Sequence, residues 1–352
     1  MIHWMNIESG RKMKKKISFD IARIIAISMV VVIHANVSFI QSTEGFLFKI
    51  GTHITGSMTI CVPLFFMVSG ALLLNLEQSA SLRSLLEYRV KKIFVPFFIW
   101  SIIYLLVRML FGKVERSIGT FFSIIKEPAY YQFWFIYTLL AIYLLLPFLY
   151  RVVKSCSEIL IKYALSIWVL FSMIIPMTER YFGSFSICEH FNLNFLEGYL
   201  GYFLLGYYLY TYKRNVSKRY CILAIIIGLL GTHLGIIMEQ EFLQFPLDSQ
   251  YIYAAYLTPF VMLTASGILC LLFKLDTLYI SEKKKKCIEK SSKMTMGVFY
   301  NHMLVLMGIE YTGVLASNSL VGVGIKVIGT IVISFFVSYI ISKCPILNKL
   351  LI

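Results

Sequence analysis

Residues 17–40 read "ISFDIARIIAISMVVVIHANVSFI". The stretch is long and apolar enough to cross a bilayer, which asks for about 20 such residues in a helix. Yet it carries Asp20, Arg23 and His34. An ionisable group in hydrocarbon costs on the order of 3 kcal/mol or more, so such residues face a protein interior or a water-filled cavity and mark function. The interval from Arg23 to His34 is about three helical turns, which puts both on one helix face about 16 Å apart. Asp20, one turn before Arg23, is a ready intrahelical partner for it.

Working outward, apolar runs of this kind recur along the whole chain. The 352 residues are 59% hydrophobic and only 14% charged, with a mean hydropathy of +0.77, a composition that excludes a soluble globular domain. About ten spans are predicted, at 18–40, 58–76, 91–111, 130–150, 160–177, 193–212, 221–238, 252–273, 294–313 and 320–342. The fold class is therefore an all-α integral membrane bundle, with a basic N-terminal segment at 1–17, a transmembrane domain at 18–342 and a short tail at 343–352. The opening "RKMKKK" imitates the start of a signal peptide, but Asp20 and Arg23 interrupt the run and no A-x-A cleavage site follows, so an uncleaved first helix is expected.

The chain has 33 Lys and Arg against 18 Asp and Glu, a net charge of +15. No helix-turn-helix, zinc-finger or RNA-binding signature accompanies this excess, so nucleic acid is not the expected partner. With the N-terminus inside, 25 of the 33 basic residues fall on the cytoplasmic side, counting Lys91, Lys92 and Lys162 at the inner ends of their spans, and five outside, while Arg23, Arg108 and Lys326 also lie within spans. The asymmetry is a positive-inside signal and places both termini in the cytoplasm. The run "EKKKKCIEK" at 282–290 belongs to the same set. It reads as a topology determinant on anionic lipid, or as a charge that draws an anionic cytosolic ligand to the membrane.

Seven cysteines, Cys61, Cys156, Cys188, Cys221, Cys270, Cys287 and Cys344, form no C-x-x-C pair and read as packing residues. The six histidines show no metal-ligand spacing, so no metal site is predicted. Nor is there a G-x-S-x-G elbow, a phosphate-binding P-loop or a dinucleotide fingerprint.

The remaining polar residues each admit a functional and a packing reading. His34 suits proton transfer near the outer end of its span, or interhelical hydrogen bonding. Arg23 lies in a site, or snorkels to the inner surface. In "CVPLFFMVSGALLL", 61–74, Ser69-Gly70 permits close backbone approach between helices. In "YRVKKIFVPFFIW", 88–100, Arg89, Lys91 and Lys92 gather at the inner mouth of a span, where they hold phosphates or anchor the helix. Trp134 and Tyr137 stand at the outer interface, Glu197 lies in an outer turn as an acceptor contact or helix cap, and Tyr300, Asn301 and His302 are adjacent within a span.

Taken in order, these segments resemble the membrane-bound acyltransferase-3 family. Arg23 and His34 match its Arg, ten residues, His pattern, and "PLFFMVSGALLL" is similar to its F-F-x-x-S-G signature. "RVKK" at 89–92 resembles a basic R-x-x-R motif, with Lys92 in place of the second Arg, which keeps the charge and loses the bidentate fork. Trp134 through Pro147 resembles W-F-x-x-x-L-x-x-x-Y-L-x-x-P, and Tyr300 with His302 resembles a late Y-x-H. The chain resembles the stand-alone members, which lack a C-terminal hydrolase-like domain.

The resemblance implies an O-acyltransferase, expected to be an O-acetyltransferase, in a bacterial plasma membrane. Acetyl-CoA or another acyl-CoA is the expected donor, and a cell-surface polysaccharide or lipid-linked sugar the acceptor. Catalytic roles fall on His34, Arg23 and His302, donor binding on Arg89, Lys91, Lys92 and Ser69, and acceptor binding on Trp134, Tyr137, Glu197 and Tyr300; no cofactor is permanently bound. Ser69 or His302 is the expected donor to the oxyanion. The competing reading is a transporter or flippase for a lipid-linked glycan, which would leave acceptor mass unchanged. A membrane sensing or amino-acid-supply module is a third.

Overall fold

A computed structural model describes residues 16–115, 117, 119, 124, 126–183, 198–242, 255–313 and 318–352. Over these the chain is helical throughout, and no strand occurs among the described residues. The principal helices are α1 (Ile17–Ser42), α2 (Gly45–Met58), α3 (Cys61–Leu73), α4 (Leu82–Leu110), α5 (Trp134–Leu144), α6 (Leu146–Ser155) and α7 (Glu158–Phe182). They continue with α8 (Leu200–Tyr212), α9 (Lys218–Glu241), α10 (Pro259–Phe273), α11 (Glu282–Tyr311), α12 (Leu320–Lys343) and α13 (Pro345–Leu351).

Among the described residues seven helical segments, α2 and α3 together counting as one, are long and apolar enough to cross a membrane, and an eighth is made by the helical turn Tyr131–Phe133 with α5 and α6, bent by 57° at Leu145. Pro147 sits in the first turn of α6, where its ring and missing N–H break the helical ladder. The sequence-based count of about ten differs for physical reasons. The predicted 294–313 span is the apolar part of α11, a 30-residue helix about 45 Å long. That exceeds the ~30 Å hydrocarbon thickness, so its first turns, carrying Lys283–Lys286, project beyond the apolar layer. The predicted 193–212 span contains α8, only 13 residues long, its earlier part lying outside the described residues. The start of the predicted 252–273 span and the basic residues Arg11–Lys15 also lie outside them.

One element was not predicted. The sequence of α2, "GFLFKIGTHITGSM", mixes polar and apolar residues too evenly for a hydropathy reading. It nevertheless packs against α1 and runs through a short turn into α3. Asn36 of α1 holds the pair together, donating to the Gly51 carbonyl at 2.7 Å and to Thr55 Oγ1 at 2.9 Å.

Helix α1 is the central strut, packed against α2, α3, α10, α11 and α12. Its small residues Ala22, Ala26 and Ala35 are fully buried, which lets the neighbours approach closely. The crossing of α3 and α8 is tighter still. A Cβ on Gly70 would lie 1.7 Å from the Phe203 carbonyl oxygen, and one on Gly206 only 1.9 Å from that of Met67. Ser69-Gly70 therefore does serve helix packing, and the crossing fixes Ser69 beside the cavity described next. Lys326, wholly buried in α12, is paired: it donates to Ser38 Oγ at 3.1 Å and lies 3.5 Å from Glu310 Oε1.

Candidate active site

A cavity of about 510 Å³ enters the bundle between α1, α3, α4, α5 and α11, within the size range of small-molecule sites. Its lining is cationic at one end: Arg83, Arg89 and Lys92 of α4, Lys293 of α11 and, deeper, Arg23 of α1. Arg89 lies in a π-helical turn, Leu85–Val90, inside α4, the kind of local widening that recurs at functional sites. The turn brings Arg89 and Lys92 to the cavity and leaves Lys91 exposed, outside its lining.

Arg89 Nη1 is buried and has no hydrogen-bond partner. An unsatisfied buried guanidinium N–H is costly, and the cavity beside it is where an anion would satisfy it. Arg23, by contrast, is anchored: its Nη1 donates to Asp20 Oδ1 at 3.3 Å, and Ser292 Oγ donates to the same oxygen at 2.7 Å. The expected intrahelical pair is thus extended by α11, which keeps the guanidinium in the cavity wall. Ser69 and Tyr143 complete the polar lining, and Phe65, Phe135 and Phe299 close the deep end.

Beyond those rings lies a pocket of about 30 Å³ bordered by His34, Gln132, Trp134 and Tyr256. His34 is half-buried. Its Nδ1 is 3.0 Å from Tyr131 Oη, and that hydroxyl also reaches Met303 Sδ at 3.4 Å. His302 of α11 lies alongside, ring centroids 5.2 Å apart. His302 Nδ1 faces the Val298 and Phe299 carbonyl oxygens at 3.0 and 2.8 Å. Carbonyls only accept, so Nδ1 carries the proton and Nε2 keeps a bare lone pair. That Nε2 is buried and unpartnered. In this tautomer the free ring nitrogen of His302 is an acceptor rather than a donor.

A family model described as an acyltransferase domain matches residues 16–343, nearly the whole chain. The chain belongs to the acyltransferase-3 family. No curated protein and no solved structure matches it.

In this acyltransferase the predicted site residues divide by position. Arg23, Ser69, Arg89 and Lys92 line the larger cavity. His34 and Trp134 line the smaller pocket, with His302 against His34. Tyr137 and Tyr300 line neither: Tyr137 Oη donates to the Ile124 carbonyl at 2.5 Å, and Tyr300 Oη donates to that of Ile93 at 3.2 Å while its ring stacks on Trp100. Glu197 lies outside the described residues. Sequence reasoning missed Tyr131 and Gln132, which meet His34 and its pocket from the segment before α5, and Met303 of α11, which accepts from the Tyr131 hydroxyl. For Gln132 a signal existed: it directly precedes the Phe-Trp-Phe of a recognised motif, and a buried amide there wants a partner. Neither of its side-chain polar atoms has one. Among the described residues no three His, Cys, Asp or Glu side chains come together as metal ligands.

Proposed function

We propose that this acyltransferase moves an acyl group, acetyl by preference, from cytosolic acyl-CoA to a hydroxyl of a cell-surface or lipid-linked glycan in a bacterial plasma membrane. One observation carries this reading: a membrane-embedded cavity, cationic at its mouth, ends one layer of aromatic rings from a histidine. The mouth suits the phosphates of a nucleotide-linked thioester, with Arg89 Nη1 as an open donor. The body of the cavity suits the pantetheine arm. Trp134 and Tyr256 offer apolar faces for a sugar ring beside His34.

His34 is the general base. When its Nδ1–H donates to Tyr131 Oη and that hydroxyl donates to Met303 Sδ, Nε2 is left with the lone pair that proton abstraction needs. Nε2 takes the hydroxyl proton as the acceptor oxygen bonds to the thioester carbonyl carbon. The carbon–sulfur bond then breaks, and the proton passes from His34 to the departing thiolate, yielding the ester and free CoA thiol. The Gln132 amide N–H stabilises the oxyanion from the same pocket. Arg23 holds a polar part of the donor within the cavity, and Ser69 contributes a hydroxyl to its wall.

Mass spectrometry of surface polysaccharide from cells with and without the protein tests this. An added acyl mass is expected with wild type and is lost in well-expressed His34→Gln, since general-base catalysis contributes about 10²–10⁴-fold. Gln132→Leu is expected to lower turnover by about 10²–10³-fold. Near-normal acylation by His34→Gln would remove His34 from the chemistry, and unchanged acceptor mass with wild type would favour a transporter.

A further inference from the structure

The polar lining of the larger cavity has a focus below its mouth. Tyr143, in the last turn of α5, is buried, and its Oη has no hydrogen-bond partner although the residue lines the cavity. The groups that face this hydroxyl are the guanidiniums of Arg23 and Arg89 and the hydroxyl of Ser69, brought by α1, α4 and α3 respectively. Arg89 Nη1 is likewise unpartnered, so two buried donors from two helices are left open at one place. Leaving buried donors unmet is costly, and one anion with several acceptor oxygens satisfies both. The cations nearer the surface differ: Arg83 and Lys293 are exposed, and Arg83 is already paired with Glu87 at 3.1 Å.

The separation of this focus from His34 can be read off two helices. On α1 Arg23 stands eleven residues before His34, about 16 Å along the axis. On α5 Tyr143 stands nine residues after Trp134, which borders the His34 pocket, about 13–14 Å. Roughly thirteen bonds separate the diphosphate from the sulfur of a CoA thioester, and an extended chain advances about 3.3–3.6 Å for every three bonds, so the arm spans about 15 Å. We infer that Tyr143 is a donor-binding residue that, with Arg23 and Arg89, grips the diphosphate of the donor one arm's length from His34, while the 3′-phosphate stays on Arg83 and Lys293 at the mouth. The inference rests on the acyl-CoA reading above. It divides phosphate recognition between a buried site, where charged hydrogen bonds are strong, and an exposed one, where salt and water screen them.

Calorimetry on the purified full chain, with CoA and with dephospho-CoA, which lacks only the 3′-phosphate, tests the division. Tyr143→Phe removes one oxygen and keeps the ring, and its melting temperature checks the fold. It is expected to weaken CoA and dephospho-CoA alike, by about 10- to 150-fold, the loss of one hydrogen bond to a charged group. Arg89→Gln, on a different helix, is expected to show the same pattern. The double variant Arg83→Ala/Lys293→Ala is expected to weaken CoA by about 2- to 30-fold, as two exposed charge contacts, and to leave dephospho-CoA unchanged. Wild-type affinity in folded Tyr143→Phe, or a loss there or in Arg89→Gln that disappears with dephospho-CoA, would overturn the diphosphate assignment. No loss in the double variant, or one that persists with dephospho-CoA, would overturn the placement of the 3′-phosphate. Folded wild type that binds neither ligand would overturn the donor reading and the inference with it.

Discussion

Removing one oxygen atom, in Tyr131→Phe, probes how His34 is held at the moment of proton transfer. The ring of Tyr131 packs edge-on against His34 at 5.1 Å between centroids, a contact phenylalanine keeps. What it loses is Oη, 3.0 Å from His34 Nδ1. In the ground state that bond joins two neutral groups and contributes about 0.5–1.5 kcal/mol. As His34 gains the acceptor's proton it becomes an imidazolium, and the same bond becomes charge-assisted, contributing about 1.5–3 kcal/mol. Only the difference, about 1–1.5 kcal/mol, lowers the barrier. At 1.36 kcal/mol per tenfold, kcat is expected to fall about 5- to 13-fold. KM for acetyl-CoA should stay constant, because the cationic donor cavity does not include Tyr131. Steady-state acetyl transfer by purified protein measures both. An unchanged kcat per folded molecule would refute the reasoning and leave Tyr131 as a packing residue.

Other consequences are equally open to measurement. Arg89→Ala is expected to weaken acyl-CoA binding about 10- to 150-fold by calorimetry, the loss of a charged hydrogen bond, and more than Ala at any one of Lys283–Lys286; equal small losses at all five would favour lipid anchoring. Gly70→Ala places a methyl 1.7 Å from the Phe203 carbonyl oxygen, a contact that rigid helix backbone cannot relieve, and is expected to cost about 1–3 kcal/mol, seen as a lower melting temperature of the purified protein. A wild-type melting temperature would show that α3 and α8 do not cross at that contact. A reporter fused after Ile352, or inserted within 283–286, is expected to read cytoplasmic, and one within 239–251 external; an external C-terminus would contradict the charge asymmetry.

Much of this architecture is visible before any coordinates. A bilayer imposes a local requirement, about 20 apolar residues per crossing, so a span can be recognised from its own composition. The eleven-residue interval on α1 is equally local, because a helix is rigid over three turns and the faces of Arg23 and His34 follow from arithmetic. Asp20 as the partner of Arg23 falls under the same rule. Where composition is mixed, as in α2, the local rule gives no signal, and contacts with α1 and α9 make the element.

What only the tertiary structure decided is which polar groups meet and which are already committed. His34 and Met303 are far apart in the chain and converge on the Tyr131 hydroxyl, a matter of how the segment before α5 and helix α11 pack around α1. Tyr300 and Tyr137 looked as available as Trp134 by type and depth, yet their hydroxyls are bound to backbone carbonyls of neighbouring segments. Lys91 and Lys92 are neighbours of the same charge, and a π-helical turn sends one to the surface and the other to the cavity. Composition records what a side chain can bond to. Which bond it makes depends on groups brought within about 3 Å by helices distant in sequence, and that proximity is a property of packing.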